Sequence, residues 1–222
     1  LPHGADSADQ SALLKEARGT GAVWADIAGA LAAHSEEPVF YRTDHHWTSL
    51  GAYYGYTALL EAMGETPLPL GKAETVSDDF YGTLYSSSGV HWVAPDTIER
   101  YVREDAVTVE DVYGGEKHGL YVDSFLEEKD QYASFLGGNQ PLYIVRNSAA
   151  SSDKKLLLVR DSYSDSLAPF LCRHFAEIHL LDLRYNKTSV AQYAADMGAD
   201  GIAVLYSVDN FMKDADAVFL AQ

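Results

Sequence analysis

The chain has 222 residues and 47% hydrophobic content, enough for one domain with a substantial core. Its 33 acidic residues outnumber 16 basic ones, a formal net charge of −17, which excludes nucleic acid as a partner and argues against anionic membrane surfaces. A single cysteine, Cys172, excludes an internal disulfide and a CxxC zinc site, and its apolar run predicts a buried structural thiol.

In chain order, residues 7–34 read as helical, as two helices or one kinked at Gly19 and Gly21. Leu13, Leu14, Ala17, Val23, Trp24, Ile27 and Leu31 recur there at near-helical spacing. Residues 38–41 predict a short strand that runs into Arg42-Thr-Asp-His-His-Trp47. Thr48 is a good N-cap for a helix over 49–63, with Gly64 as its stop. Residues 65–100, with Pro67, Pro69, Gly71, Gly82 and Ser86-Ser-Ser-Gly89, read as loops with short helices.

Residues 101–147 read as β-rich, with strands over 106–113, 118–122 and 142–146 and a turn at Gly114-Gly115. Within a single domain over 1–222, this block is expected to be an inserted β-rich subdomain that shapes a cleft. From 154 the pattern alternates: strand 155–160, helix 164–175, strand 177–182, helix 189–197, strand 201–206. Three β-α units predict an α/β fold with a parallel sheet flanked by helices. No stretch reaches the roughly 18 apolar residues of a membrane span. No targeting segment is read, and a start at Leu1-Pro2 is the one expected of a trimmed chain.

In such a sheet, function concentrates in the loops after the strands. Ser162 sits in the first, at a strand-to-helix turn. It reads as a nucleophile, its own N–H and the helix N-terminus favouring an oxyanion, or as a helix cap. Asn210, in the third loop, reads as a further oxyanion donor or a turn residue. The best base is in Asp44-His45-His46: on extended backbone, residues i and i+2 share a face, so Asp44 can orient His46 while His45 points away. The alternatives are packing or capping histidines, or a metal site on Asp44, His45 and His46, for which no companion ligands are seen. Arg160, Tyr163, Arg184 and Tyr185 are candidates for substrate contacts. Fifteen tyrosines suit sugar binding as well as an ordinary half-buried core.

The run Tyr41-Arg-Thr-Asp-His-His-Trp-Thr48 with Ser49-Leu-Gly-Ala-Tyr-Tyr54 resembles the signature of the DHHW family. That family is similar to the SGNH hydrolase superfamily and to periplasmic alginate O-acetyltransferases. Val76-Ser-Asp-Asp-Phe-Tyr-Gly-Thr-Leu-Tyr85, Asp161-Ser-Tyr-Ser164 and Asp182-Leu-Arg-Tyr185 extend the resemblance over nearly the whole chain. It implies Ser162 as nucleophile, with Arg160 where the family's block usually has glycine, and Asn210 as the oxyanion asparagine without its usual preceding glycine. The Asp-x-His block precedes the serine, which resembles a circularly permuted motif order. The resemblance further implies an extracytoplasmic or cell-surface protein of bacteria and a membrane acyl-transfer partner.

The leading expectation is therefore a Ser–His–Asp O-acetyltransferase or acetylesterase on a cell-surface polysaccharide, with no cofactor and a carbohydrate or acylated small substrate. One alternative is a non-catalytic module binding carbohydrate or a partner on the same scaffold. The other is a metal-dependent hydrolase.

Overall fold

A computed structural model describes Lys15, Arg18, Gly19 and residues 21–221. The predicted Leu13, Leu14 and Ala17 face lies outside the described residues. Helix α1 is Ile27–Ala33, capped by Asp26, whose carboxylate accepts from the Gly29 N–H. Val23 and Trp24 precede it and are exposed.

Helix α2, Ser49–Ala62, is the predicted one: Thr48 caps it through a bond from the Gly51 N–H, and Gly64 follows with φ 76°. Ala52, Tyr56, Leu59 and Leu60 share one buried face at helical spacing. The next elements are β1 (Glu74–Phe80), α3 (Thr83–Ser88) and β2 (Asp96–Arg100). Here the loop expectation is corrected, because β1 and β2 pair as a two-stranded antiparallel sheet. The register shifts twice, and the polar β1 has no clean in–out alternation, so period-2 reading passes over it.

The main sheet has six strands: β3 (Val107–Asp111), β4 (Lys117–His118), β5 (Leu142–Asn147), β6 (Lys155–Arg160), β7 (Glu177–Leu181) and β8 (Gly201–Leu205), in the order β4-β3-β5-β7-β6-β8. The three C-terminal strands are parallel, as their β-α alternation predicts. β3, β4 and β5 pair antiparallel, and β5 joins β7. Strands of the 101–147 block thus extend the central sheet, with Leu142, Tyr143 and Val145 buried.

Both faces are covered. α2 and the short α4 (Ala168–Leu171) lie on one, in a core cluster with Leu156, Leu158, Ile178 and Leu180. α5 (Val190–Met197) covers Leu157, Val159 and Leu181 on the other. A third cluster of Tyr41, Phe80, Ile98, Tyr132 and Phe135 lies under the small sheet. Cys172 is buried, and burial pushes its thiol up to about 12, which makes it inert.

The predicted helix over 164–175 is broken. A 3-10 turn, Ser162–Ser164, is followed by the four-residue α4, with Pro169 in its first turn. The Ser164 hydroxyl donates to the Asp161 carbonyl, a local bond that competes with regular helix. β6 therefore ends in a tight turn, and the helix-dipole contribution expected at Ser162 is correspondingly small.

Candidate active site

Residues 42–46 form a series of bends, closed by a bridge between Phe40 and Trp47. The bends, not strand alternation, bring Asp44 and His46 together. Asp44 Oδ1 accepts the His46 backbone N–H at 3.0 Å and lies 2.6 Å from His46 Nδ1, an Asx turn whose acceptor also takes the ring. His45 is not turned away as expected: its ring lies 3.8 Å from that of His46, and its Nδ1 is 2.7 Å from Thr83 Oγ1.

The loop is seated by Trp47. A Cβ on Gly55 would come within 2.7 Å of the indole, so the bare helix surface at that glycine lets the ring lie against α2. The indole N–H is shared between the Tyr163 carbonyl (2.9 Å) and Ser166 Oγ (3.0 Å). This ties the histidine loop directly to the turn that bears Ser162.

His46 Nε2 lies 2.7 Å from Ser162 Oγ. Asp44, His46 and Ser162 are all buried. Asp44 Oδ2 accepts the Thr83 N–H at 2.7 Å and its hydroxyl at 3.0 Å. Gly82 is required beside it, since a Cβ there would fall within 2.2 Å of the carboxylate. Tyr132 stacks on His46 at 3.8 Å and 7°, and its hydroxyl donates to the Ser162 carbonyl. The loop is braced from beneath by Asp96, which accepts from the Thr43 N–H and hydroxyl.

The electrostatics follow from these bonds. Burial raises the Asp44 carboxyl, but hydrogen bonds from the two histidines and the Thr83 N–H outweigh it and hold Asp44 well below the usual carboxylate range. Burial dominates at His46 and, against the pull of Asp44, leaves its imidazole below the ordinary 6.5. At neutral pH the pair is therefore an ionised carboxylate and a neutral imidazole. With Asp44 accepting from Nδ1–H, Nε2 is left to face the serine hydroxyl as an acceptor.

The ligand atoms of Asp44, His45 and His46 lie within 4.8 Å of one another. Nδ1 of His46 is engaged by Asp44 and Nδ1 of His45 by Thr83. The two Nδ1 atoms would have to leave these partners to hold an ion.

Of the remaining predicted residues, Tyr163 lines the site: its ring lies 5.1 Å from that of His46, and its hydroxyl donates to the His45 carbonyl. Arg184 is held by Asp182 through its Nε (2.9 Å) and Nη2 (2.6 Å), with its guanidinium over the exposed Tyr185 ring. Asn210, in α6 (Val208–Lys213), donates through Nδ2 to Asp161 Oδ2 at 2.8 Å, which leaves one amide hydrogen.

Arg160 is corrected as a substrate contact. It is fully buried, pointing into the face that packs on α2 and α4, and its Nη1 donates to Asp165 Oδ1 at 2.8 Å. Burial pushes Asp165 up to about 7 despite this partner. Arg160→Ala is expected to cost about 3 kcal/mol in urea unfolding at neutral pH, because it strands a buried acid and opens a void. A paired Arg160→Met, Asp165→Leu variant should recover most of that.

The sequence reading omitted Thr83, Gly82, Tyr132, Trp47 and Asp96 as parts of the site. The signal for three of them was present: Trp47 ends the Asp-His-His-Trp run, and Gly82 and Thr83 lie in the Tyr-Gly-Thr-Leu-Tyr stretch, both of which carry part of the family resemblance. Tyr132 and Asp96 have no local signature.

The profile of the DHHW protein family matches residues 13–181. A search of curated proteins finds no match. Among solved structures, a DHHW family protein from Eubacterium siraeum DSM 15702 is 25% identical, with a TM-score of 0.84 over all of this chain and 78% of that one. PatB1 of Bacillus cereus is 22% identical, with a TM-score of 0.61 over 80% of this chain and 65% of its own. It has also been solved with a sulfonyl adduct, at 20% identity and a TM-score of 0.60. The O-acetyltransferase domain of Pseudomonas putida AlgJ is 16% identical, with a TM-score of 0.45 over 98% of this chain and 75% of its own.

Proposed function

Because this chain belongs to the DHHW protein family, we propose that it performs acyl-ester chemistry at Ser162, as an O-acetyltransferase or acetylesterase acting on a cell-surface polysaccharide. The observation that carries the reading is the continuous line of bonds from Ser162 Oγ through the His46 ring to Asp44, at 2.7 and 2.6 Å. Each link has the reach and protonation state that nucleophile activation requires.

Ser162 Oγ attacks the acyl carbonyl of an ester donor while its proton passes to His46 Nε2. Asp44 stabilises the imidazolium. The Ser162 N–H and the second amide hydrogen of Asn210 face the oxyanion. Collapse breaks the bond to the donor's alcohol, which leaves with the proton from His46. Water or a sugar hydroxyl then gives its proton to His46 and attacks the acyl-enzyme, freeing Ser162. Arg184, Tyr185 and Tyr163 contact the substrate. An extracytoplasmic location and a membrane partner that supplies the acyl group accompany this reading.

An aryl sulfonyl fluoride tests it. Mass spectrometry should find one adduct per chain, on Ser162, absent from Ser162→Ala. The labelling rate should fall on the acid side with a midpoint below 6.5, because protonated His46 cannot accept the serine proton and burial lowers its affinity for that proton. Labelling elsewhere, or equal labelling in Ser162→Ala, defeats the proposal.

A further inference from the structure

Asp44 serves two imidazoles. It holds His46 directly, through Oδ1. It holds His45 through Thr83: His45 Nδ1 lies 2.7 Å from Thr83 Oγ1, and that hydroxyl donates to Asp44 Oδ2 at 3.0 Å. The hydrogens on this second branch follow from counting. Asp44 is ionised and only accepts, and the Thr83 hydroxyl has one hydrogen, which goes to it. Towards His45 the Thr83 oxygen is an acceptor, so His45 Nδ1 carries the hydrogen.

The branch matters because Thr83 is exposed. Water competes there for the hydroxyl hydrogen. A donor on the oxygen's lone pair turns that hydrogen towards the carboxylate and polarises the O–H bond, which strengthens its hold. His45 also meets the ring of His46, with centroids 3.8 Å apart at 39°, while Tyr132 stacks on that ring at 3.8 Å and 7°. Two rings this near cannot share one face, so His46 lies between them. His45 is itself anchored at its carbonyl by the Tyr163 hydroxyl.

We propose that His45 is a positioning residue for the acyl transfer: acting through Thr83, it fixes Asp44 so that Oδ1 stays in line with His46 Nδ1. The inference rests on the acyl-transfer reading and adds to it a second imidazole that works through the acid of the first.

Variants of the full chain separate the bond from the ring. His45→Asn places an amide N–H where Nδ1–H stands and should keep kcat on p-nitrophenyl acetate within about threefold of the parent. His45→Phe keeps a ring beside His46 but cannot donate, and should lower kcat about tenfold with KM unchanged. Thr83→Val should cost at least as much, and adding His45→Phe to it should cost little more, because the branch is already broken. Two NMR readouts do not depend on turnover. Nitrogen shifts should show neutral His45 as the Nδ1–H form, and the His46 Nδ1 proton resonance should move in His45→Phe and return in His45→Asn. His45→Phe at the parent kcat, an equal loss in His45→Asn and His45→Phe, additive losses with Thr83→Val, or the Nε2–H form of His45 each overturns the proposal. Sulfonylation of Ser162 in the parent keeps the two readings apart. A parent that labels, with kcat unmoved in His45→Phe, sinks the role of His45 alone; a parent that does not label sinks the acyl-transfer reading itself.

Discussion

Ser162→Ala is expected to lower kcat on an acyl ester such as p-nitrophenyl acetate by about 10⁴- to 10⁶-fold, with unfolding temperature little changed. No neighbouring hydroxyl can substitute. Ser164 Oγ is turned to the Asp161 carbonyl, and Ser166 Oγ is held between the Trp47 indole and the Tyr132 hydroxyl. His46→Ala should fall to the same floor, because a serine without its base is no stronger a nucleophile than an alcohol in water. The double variant should be no worse than either single, since the two groups act as one unit. A Ser162→Ala protein that keeps more than a tenth of the parent rate would place the chemistry elsewhere.

The second large effect is expected from Asp44→Asn, about 10³- to 10⁴-fold in kcat, in line with the loss caused by the equivalent change in serine proteases. Both Asp44 oxygens are surrounded by donors: the His46 N–H and Nδ1 on one, the Thr83 N–H and hydroxyl on the other. An amide has one acceptor oxygen, so its NH₂ must face donors on one side. If it faces His46, Nδ1 becomes the acceptor, the ring proton moves to Nε2, and the serine loses its base. If it faces Thr83, the histidine keeps its tautomer but loses a carboxylate that stabilises the imidazolium, and the loop is weakened by about 1–3 kcal/mol. Steady-state kinetics and thermal unfolding distinguish these: a fall in kcat without a matching fall in stability identifies the tautomer effect. Activity within tenfold of the parent would show that Asp44 is only a loop brace.

Local reading was strongest where local forces decide the structure. The Thr48 cap, the Gly64 stop, the strands over 155–160, 177–181 and 201–205 and the Ser189-capped α5 follow from capping, periodicity and apolar runs. It failed for β1, which is polar and irregular, for β2, whose buried positions include the charged Asp96 and Arg100, and for the helix after Ser162, where serine side chains and Pro169 break the run. It also mistook the cause of the Asp44–His46 pairing, which is an Asx turn and not strand alternation.

The same division holds at the site. From the sequence alone came the α/β class, the serine at the end of a strand, the acid–imidazole pair two residues apart, and the net acidity of −17. These depend on residue type and short spacing. Only the tertiary structure joins Ser162 to His46, because that contact spans 116 residues and depends on Trp47 bridging the two loops across α2. Only it removes Arg160 from the cleft, since the face of β6 that buries a side chain depends on which helices pack there. Only it brings Thr83 to Asp44 and Asn210 to Asp161. Burial and long-range hydrogen bonding decide those partnerships, and neither leaves a mark in a short window of sequence.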